Sequence, residues 1–306
     1  MFLHSDAELF GEVLAGAAGF LGIHDAIIEK DYYVTLILRI LAKNVEEAVF
    51  KGGTSLSKCH HVISRFSEDI DIGFVSKLSE GRRRKLKDII VTNCGDIGFC
   101  LANPNEIRSR RDFNRYVFRY PAVCAAAVNQ TLAPHVILET FNGASAAPTV
   151  KLNVDSYVLQ YLTSAEEFEI IKGYELSAFE MQLQDLKRTF ADKVFAICDY
   201  YMESKPDRNS RHVYDLCKLT KEIRFDDELR EVIEAVRTER RAMHKCPSSA
   251  EDTDVSRLLT EIVDSNFYRA DYEGITKQLL HEELSYETSA AALTEIAESG
   301  IFSQRG

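Results

Sequence analysis

The sequence of 306 residues predicts an α+β protein with a mixed β-sheet domain, residues 1–175, and a helical domain, residues 176–306. Several short segments of the first part alternate apolar and polar residues, which is the period of a strand. From about residue 177 to the end, apolar residues recur every three or four positions, the period of a helix. Strands followed by a run of helices are typical of an α+β fold, and the length fits one large or two modest domains.

The predicted sheet domain begins with two helices, near residues 5–21 and 25–43. Ser5 followed by Glu8 is the pattern of a capping box at the start of the first helix. The second helix is apolar on nearly all sides, which indicates a buried position. Strands are expected at residues 48–50, 67–74, 113–124, 133–142 and 150–159, and further helices from residue 54 and across 79–95.

The predicted helical domain contains no strand. Its helices are expected at residues 177–202, 211–222, 226–243, 253–264, 270–281 and 286–298. The acidic, amphipathic end of this domain fits three roles, which the pattern leaves open: a cap on the first domain, an RNA contact, or a contact with a partner protein.

Composition and charge exclude several classes of protein. The net charge of −11 excludes a surface that is basic overall. The sequence contains no run of 18 apolar residues, so it predicts no membrane span. Residues 1–7 lack the basic and apolar regions of a signal peptide. The seven cysteines are odd in number and form no Cys-x-x-Cys pair, so we expect neither a disulfide framework nor a zinc site, and a reducing cytoplasm is the expected location.

The local charge differs from the total. Residues 79–120 contain ten Lys and Arg against five acidic residues, a net charge of +5. Within this segment Arg115 and Arg119 alternate with Tyr116, Phe118 and Tyr120, so that one strand face would carry arginines and the other aromatic rings. This pattern fits either a solvated edge strand over a buried aromatic face or a patch that binds phosphates of RNA or of a nucleotide.

A Gly-Gly turn joins the strand at 48–50 to the helix that follows. Gly52 and Gly53 allow backbone N–H groups to approach a phosphate closely, and a helix N-terminus adds partial positive charge. Thr54 and Ser55 supply hydroxyl donors. The spacing is not that of a P-loop, because no second glycine precedes a Lys-Ser or Lys-Thr pair.

Two carboxylates follow about 15 residues later. Asp69 and Asp71 alternate with Ile70 and Ile72, so both aspartates lie on one face of a strand, about 7 Å apart at their α-carbons. Mg²⁺ prefers oxygen ligands and commonly bridges carboxylates and substrate phosphates. The turn and the acid pair together therefore indicate a phosphate- and metal-binding site.

These motifs resemble those of the AbiEii/AbiGii nucleotidyltransferase family, which belongs to the polymerase-β-like nucleotidyltransferase superfamily. The similarity lies in five segments, residues 29–34, 50–58, 65–72, 189–197 and 211–216. Several members of the family are toxins of toxin–antitoxin or phage abortive-infection systems.

The resemblance implies roles for individual residues. A triphosphate would be bound by six residues of the turn and the following segment: Gly52, Gly53, Thr54, Ser55, Lys58 and Ser67. Asp69 and Asp71 would be catalytic and would bind Mg²⁺ or Mn²⁺. Lys193 would neutralise charge on the triphosphate or the departing pyrophosphate. Asp215 would hydrogen-bond Lys193, contact the base or ribose, or help to place an acceptor.

The superfamily often carries a third carboxylate on a strand next to the acid pair. The strand at 150–159 is the expected neighbour, and Asn153 stands at the aligned position. Asp155, two residues on and on the same strand face, is the candidate replacement and a candidate third metal ligand.

The activity that the resemblance implies is transfer of a nucleoside monophosphate from an NTP to an acceptor, with release of pyrophosphate. tRNA is the expected acceptor, and a cognate antitoxin is an expected partner. Two alternatives stay open: transfer to a protein hydroxyl, and a non-catalytic binding or regulatory module on the same scaffold.

Overall fold

A computed structural model describes residues 1–67, 69–124, 133–243 and 245–303, and these form two compact units. The sheet unit comprises Met1–Cys59, Glu68–Gly143 and Val150–Leu183. The helical unit comprises His60–Ser67, Ala144–Thr149 and Gln184–Gly306. The predicted domain boundary between residues 175 and 176 stays a prediction.

A seven-stranded mixed sheet forms the centre of the sheet unit, as predicted. Its strands are β1 Ala48–Lys51, β2 Ile70–Phe74, β3 Cys100–Leu101, β4 Phe113–Arg119, β5 His135–Ser145, β6 Thr149–Val154 and β7 Phe179–Gln184. Their order across the sheet is β3-β4-β5-β2-β1-β7-β6. β1 pairs antiparallel with β2 and parallel with β7, and β4 pairs antiparallel with β3 and β5.

Six helices belong to the described part of the sheet unit: α1 Ala7–Leu21, α2 Asp25–Asn44, α3 Gly52–Lys58, α4 Glu80–Asp96, α5 Tyr157–Ser164 and α6 Phe168–Gly173. Asp6, and not Ser5, caps α1, because its side chain accepts the N–H of Leu9. Ser5 instead ends a short 3-10 turn, so the predicted capping box is wrong. α2 is buried along most of its length, as its apolar composition predicts.

The core of the sheet unit lies on one face of the central strands. Phe50, Ile70 and Ile72 are fully buried there together with residues of α2 such as Tyr33 and Leu38. Because side chains alternate along a strand, the neighbours of these residues point to the opposite face. The sheet therefore separates an apolar core from the face that carries Asp71.

Several predicted elements are wrong at their ends. Residues 179–184 form β7 and not a helix, because Phe179, Met181 and Leu183 alternate with polar residues and Leu183 is paired with Phe50. The helix begins only after Asp185, whose side chain caps it. The predicted strand at 150–159 ends at Val154, since Ser156 caps α5.

The helical unit consists of α7 Leu186–Met202, α8 Arg211–Leu219, α9 Asp227–Arg241, α10 Val255–Asp264, α11 Arg269–Asp271, α12 Lys277–Leu279 and α13 Tyr286–Glu298. A π-helical turn, Tyr272–Thr276, separates α11 from α12. α8 and α10 pack against α13, and α7 packs against α8 and α9. Leu216, Leu259 and Leu293 are fully buried in this unit.

No single helix within the described ranges is long and apolar enough to cross a membrane. α1 and α2 reach the required length and composition only as a pair, and the pair is bent by 112°. All seven cysteines are free.

Candidate active site

The turn after β1 brings the backbone of Gly52 against the carboxylate of Asp71. Lys51, the last residue of β1, is paired with Asp71 of β2. Gly52 has a φ of +80°, and a Cβ atom at this position would lie 2.0 Å from Oδ2 of Asp71. Both the backbone conformation and the space therefore require glycine here.

The acid pair lies where the alternation of the sequence predicts. Ile70 and Ile72 are buried in the core, so Asp71 of β2 and the preceding Asp69 point to the opposite face. The Thr54 hydroxyl donates a hydrogen bond of 2.6 Å to the backbone oxygen of Asp69. α3 thus holds the start of the aspartate strand in place.

The hydroxyls of Thr54 and Ser55 are used inside the protein. Both side chains are buried, and the Ser55 hydroxyl donates to the backbone oxygen of Gly52 at 2.9 Å. A phosphate at this turn would thus be bound chiefly through backbone N–H groups. Direct contact of Thr54 and Ser55 with a nucleotide stays a prediction.

The chemistry of the acid pair fits a hard divalent cation. Oδ1 of Asp69 is buried, and no donor among the described residues hydrogen-bonds to it. An acceptor in such a position is costly unless a cation or donor binds it. Within the described ranges no group of three or more His, Cys, Asp or Glu side chains could hold a metal alone. Mg²⁺ commonly uses one or two carboxylates and completes its shell with water and substrate phosphate.

The expected third carboxylate does not lie on a neighbouring strand. β6 is at the edge of the sheet, and β1 and β7 separate it from β2, so this prediction of adjacency is wrong. Asn153 is exposed, and Asp155 lies beyond the end of β6. The strand next to β2 on the other side is β5, whose Glu139 forms an ion pair of 3.4 Å with Arg115.

Lys58 and Ser67 are the remaining predicted nucleotide ligands. Lys58 is the last residue of α3, and Ser67 lies two residues before Asp69. Nζ of Lys58 is 2.5 Å from Oδ1 of Asp31, and both side chains are largely buried. Asp31 also accepts the N–H of Tyr157 at 3.0 Å. The pair therefore joins α2, α3 and α5. Ser67 is half-buried, and its contact with a nucleotide stays a prediction.

The face that carries the acid pair also carries positive charge. Arg115 and Arg119 of β4 are exposed on this side, whereas Tyr116 and Phe118 are buried on the other, as the alternation predicts. Burial lowers the pKa of His135, which is paired with Arg119. The charge of Lys30 lowers it further, Asp69 raises it, and Arg115 and Arg119 lower it. These groups thus lie within electrostatic range of one another.

In the helical unit, Lys193 and Asp215 are in contact. Nζ of Lys193 on α7 donates to Oδ2 of Asp215 on α8 at 2.7 Å. Hydrogen bonding to Lys193, the first of the three expected roles of Asp215, is thus confirmed. Arg65 donates to both carboxylate oxygens of Asp215, Nε to Oδ1 at 2.7 Å and Nη2 to Oδ2 at 2.8 Å.

Burial and the charges of neighbouring residues shift the pKa values of the groups in this cluster. Burial alone would raise the pKa of Asp215, but Arg65 and Lys193 outweigh it and hold that pKa far below its usual range. Burial lowers the pKa of Lys193, Asp215 raises it, and the charges of Arg65 and Arg211 lower it further. Burial and the neighbouring Lys193 and Arg211 hold the pKa of His212 well below its usual range, so His212 is neutral at pH 7.

Three residues of these sites had no role in the sequence analysis: Arg65, Lys30 and His135. Arg65 and Lys30 lie inside segments that resemble the family, but nothing in the local pattern identifies their partners. Arg65 and Asp215 are 150 residues apart in the chain, so only the tertiary fold shows their ion pair. Lys30 lies on the buried α2, where an apolar helix containing a buried lysine is the available signal.

Comparison with known proteins relates this chain to a protein family and to a solved fold. The family model of the AbiEii nucleotidyl transferase toxin of type IV toxin–antitoxin systems matches residues 37–295. Among solved structures, the fold is similar to MenT4, a nucleotidyltransferase toxin from Mycobacterium tuberculosis H37Rv, with a TM-score of 0.54 and 15% sequence identity. That match covers 97% of this chain and 90% of MenT4. A comparison with curated protein sequences gave no match.

Proposed function

Since this chain belongs to the AbiEii nucleotidyl transferase toxin family and is a nucleotidyltransferase, we propose that it transfers a nucleoside monophosphate from an NTP to tRNA. The reaction depends on Mg²⁺ or Mn²⁺ and releases pyrophosphate. Its setting is a toxin–antitoxin system in the cytoplasm, with a cognate antitoxin as partner.

One observation carries the proposal: Oδ1 of Asp69 is buried with no hydrogen-bond partner among the described residues, and the Asp71 carboxylate two residues on packs against Gly52. Two carboxylates on one strand face can hold a divalent cation against the triphosphate. Such a cation neutralises phosphate charge and polarises the attacked phosphorus. The residues that would hold it are Asp69 and Asp71, and Asp155 is not needed.

The remaining residues orient the reactants and neutralise charge. Gly52 and Gly53 offer backbone N–H groups to the β- and γ-phosphates. The acceptor hydroxyl oxygen bonds to the α-phosphorus while the bond to the pyrophosphate oxygen breaks, and the hydroxyl proton is released to solvent. The role of Lys193 is to stabilise the negative charge that develops on the departing pyrophosphate.

The acceptor is proposed from the positive charge on the sheet face that carries the acid pair. Arg115 and Arg119 project from β4 on the same side as the acid pair. Phe113, the first residue of β4, is exposed. Arginine side chains bind phosphates of a nucleic acid backbone, and exposed aromatic rings stack on bases. This face therefore suits an RNA better than an acidic protein.

Transfer of label to RNA tests the proposal. The purified protein would be incubated with each α-³²P-labelled NTP, Mg²⁺ and total tRNA, and the RNA resolved on a denaturing gel. We expect label in tRNA with at least one NTP, and none with Asp69→Asn or Asp71→Asn. Label that survives RNase and migrates with protein would instead indicate a protein acceptor, and absence of label with every NTP and either acceptor would overturn the proposal.

A further inference from the structure

A buried cluster of unequal charges surrounds Asp215 in the helical unit. Two cations, Arg65 and Lys193, contact this single carboxylate. Arg65, Lys193 and Asp215 have exposed fractions of 4%, 7% and 0%. With both cations and the carboxylate ionised, these three groups have a formal net charge of +1.

Arg65 and Lys193 bind the two carboxylate oxygens of Asp215 differently. Arg65 binds both of them in a bidentate ion pair, with donor–acceptor distances of 2.7 and 2.8 Å. Lys193 binds only Oδ2. Its second contact is Nδ1 of His212 at 3.5 Å, so one of its three N–H donors has no acceptor in the described part of the chain.

The segment that carries Arg65 is fixed within the helical unit. The N–H of Phe66 donates to the backbone oxygen of Leu279 at 2.8 Å, and the N–H of His281 donates to the oxygen of Ser64 at 2.9 Å. The Ser64 N–H donates to the hydroxyl of Tyr214, which is next to Asp215 in α8. These bonds hold the backbone on both sides of Arg65 in place.

We infer that Arg65 is a positioning residue for the nucleotidyl transfer: it neutralises Asp215, so that this carboxylate orients Lys193 without cancelling the lysine charge. The inference rests on the proposed function of Lys193. Arg65 itself is not proposed to touch the substrate. It lets one buried carboxylate fix the lysine while a full positive charge remains for the phosphates of the NTP.

Without Arg65 the same carboxylate would act against catalysis. Lys193 and Asp215 alone would form a neutral pair, and the attraction for a polyphosphate would fall. A buried carboxylate with only one partner would also hold the ammonium group more tightly, because charges interact strongly where water is excluded. Arg65 can prevent this because a guanidinium is always protonated and matches a carboxylate in shape.

The test uses variants that change the net charge of the cluster in a known way. Arg65→Gln gives a net charge of 0, and Arg65→Gln combined with Asp215→Asn restores +1. The probe is inorganic tripolyphosphate with Mg²⁺, whose affinity is measured by calorimetry on the full chain. We expect Arg65→Gln to weaken binding by about tenfold, the effect of 1.4 kcal/mol. The double variant should recover most of this loss but keep a low kcat, because Lys193 is no longer oriented.

Arg65→Lys separates charge from orientation. It keeps the positive charge but cannot form the bidentate pair. We expect its tripolyphosphate affinity to stay within about twofold of wild type while kcat falls by about tenfold. If Arg65→Gln does not fold, this comparison carries the test, and an Arg65→Lys protein with wild-type kcat would overturn the inference.

Arg188→Gln is the matched control. Arg188 is as deeply buried in the same unit and binds Glu239 with two nitrogens, at 2.8 and 3.3 Å. Its loss should lower the melting temperature but leave tripolyphosphate affinity and kcat unchanged. If Arg65→Gln behaves like this control, Arg65 is only structural. A further outcome is that tripolyphosphate affinity follows the net charge of the cluster in the variants while the wild-type protein labels no acceptor. In that case the proposed function fails, but the effect of Arg65 on phosphate binding stands.

Discussion

The carboxylate of Asp71 fills the space that a side chain at Gly52 would need, since a Cβ atom there would lie 2.0 Å from Oδ2. We therefore expect Gly52→Ala to move the Asp71 carboxylate, which is proposed to bind the metal. Displacement of a reacting group by about 1 Å can cost about 100-fold in rate, so kcat for NMP transfer should fall by at least about that factor.

Gly22→Ala is the control for backbone strain. Gly22 has a similar φ of +67°, but a Cβ atom there would meet nothing within 4 Å. Both substitutions should destabilise the protein by about 1 kcal/mol in a denaturant titration, because alanine is strained at positive φ. Only Gly52→Ala should lose activity, and equal kcat values for the two variants would contradict the role given to this close approach.

Thr54 is expected to act through Asp69 and not through a phosphate. Thr54→Val removes the 2.6 Å bond to the backbone oxygen of Asp69 and should lower the free energy of unfolding by about 1–2 kcal/mol. Thr54→Ser keeps the hydroxyl and should retain most of the stability and the kcat. A Thr54→Val protein with unchanged stability and a raised KM for the NTP would favour direct nucleotide binding.

The buried pair of Lys58 and Asp31 is expected to be structural. Lys58→Met leaves Asp31 without its cation, and removal of one partner of a buried pair costs about 3–5 kcal/mol. Changing both residues, Lys58→Met with Asp31→Leu, should recover part of this loss. Urea titration measures these values, and a Lys58→Met protein of wild-type stability with weaker NTP binding would support the predicted nucleotide contact instead.

Binding of Mg²⁺ should stabilise the folded protein through the acid pair. A ligand at 100 times its dissociation constant adds about 2.7 kcal/mol, which appears as a rise in melting temperature. Asp69→Asn and Asp71→Asn should abolish this rise, and EDTA should reverse it in wild type. Asp155→Asn should retain the full rise, because β6 is not a neighbour of β2; a reduced rise would restore Asp155 as a metal ligand.

Stability should fall in mild acid partly because of His212. Its pKa is lower in the folded than in the unfolded protein, so the unfolded chain binds more protons between the two values. The free energy of unfolding therefore decreases as pH falls from about 6.5, by at most about 1.4 kcal/mol per pH unit for one histidine. His212→Asn should reduce this slope in urea titrations between pH 7 and 5, and parallel curves for the two proteins would exclude the effect.

Local patterns predicted the sheet, the faces of β2 and β4, and the turn at Gly52. These features follow from the alternation of residues and from the φ angles that glycine permits, both of which are visible in a short window of sequence. The sequence predicts a helix at β7 because Phe179, Met181 and Leu183 fit either period when they are read together with the apolar residues of α7. Its pairing with Phe50 decides the matter, and that contact spans more than a hundred residues.

The partners of the candidate site residues could not be predicted in the same way. The sequence leaves three roles open for Asp215. In the structure its carboxylate contacts Arg65, which lies 150 residues away in the chain. The position of β6 at the edge of the sheet, which removes Asp155 from the neighbourhood of β2, is likewise set by sheet order. Sequence alternation determines which face a side chain takes but not which strands are adjacent.

The two edge strands have a consequence for the behaviour of the protein at high concentration. One edge, β3, is only two residues long, and the other, β6, carries Lys151 and Asn153 exposed on one face. Short edges and edge lysines hinder the addition of a strand from another molecule. The sheet therefore offers little template for aggregation, and the chain should remain dispersed when it is overproduced.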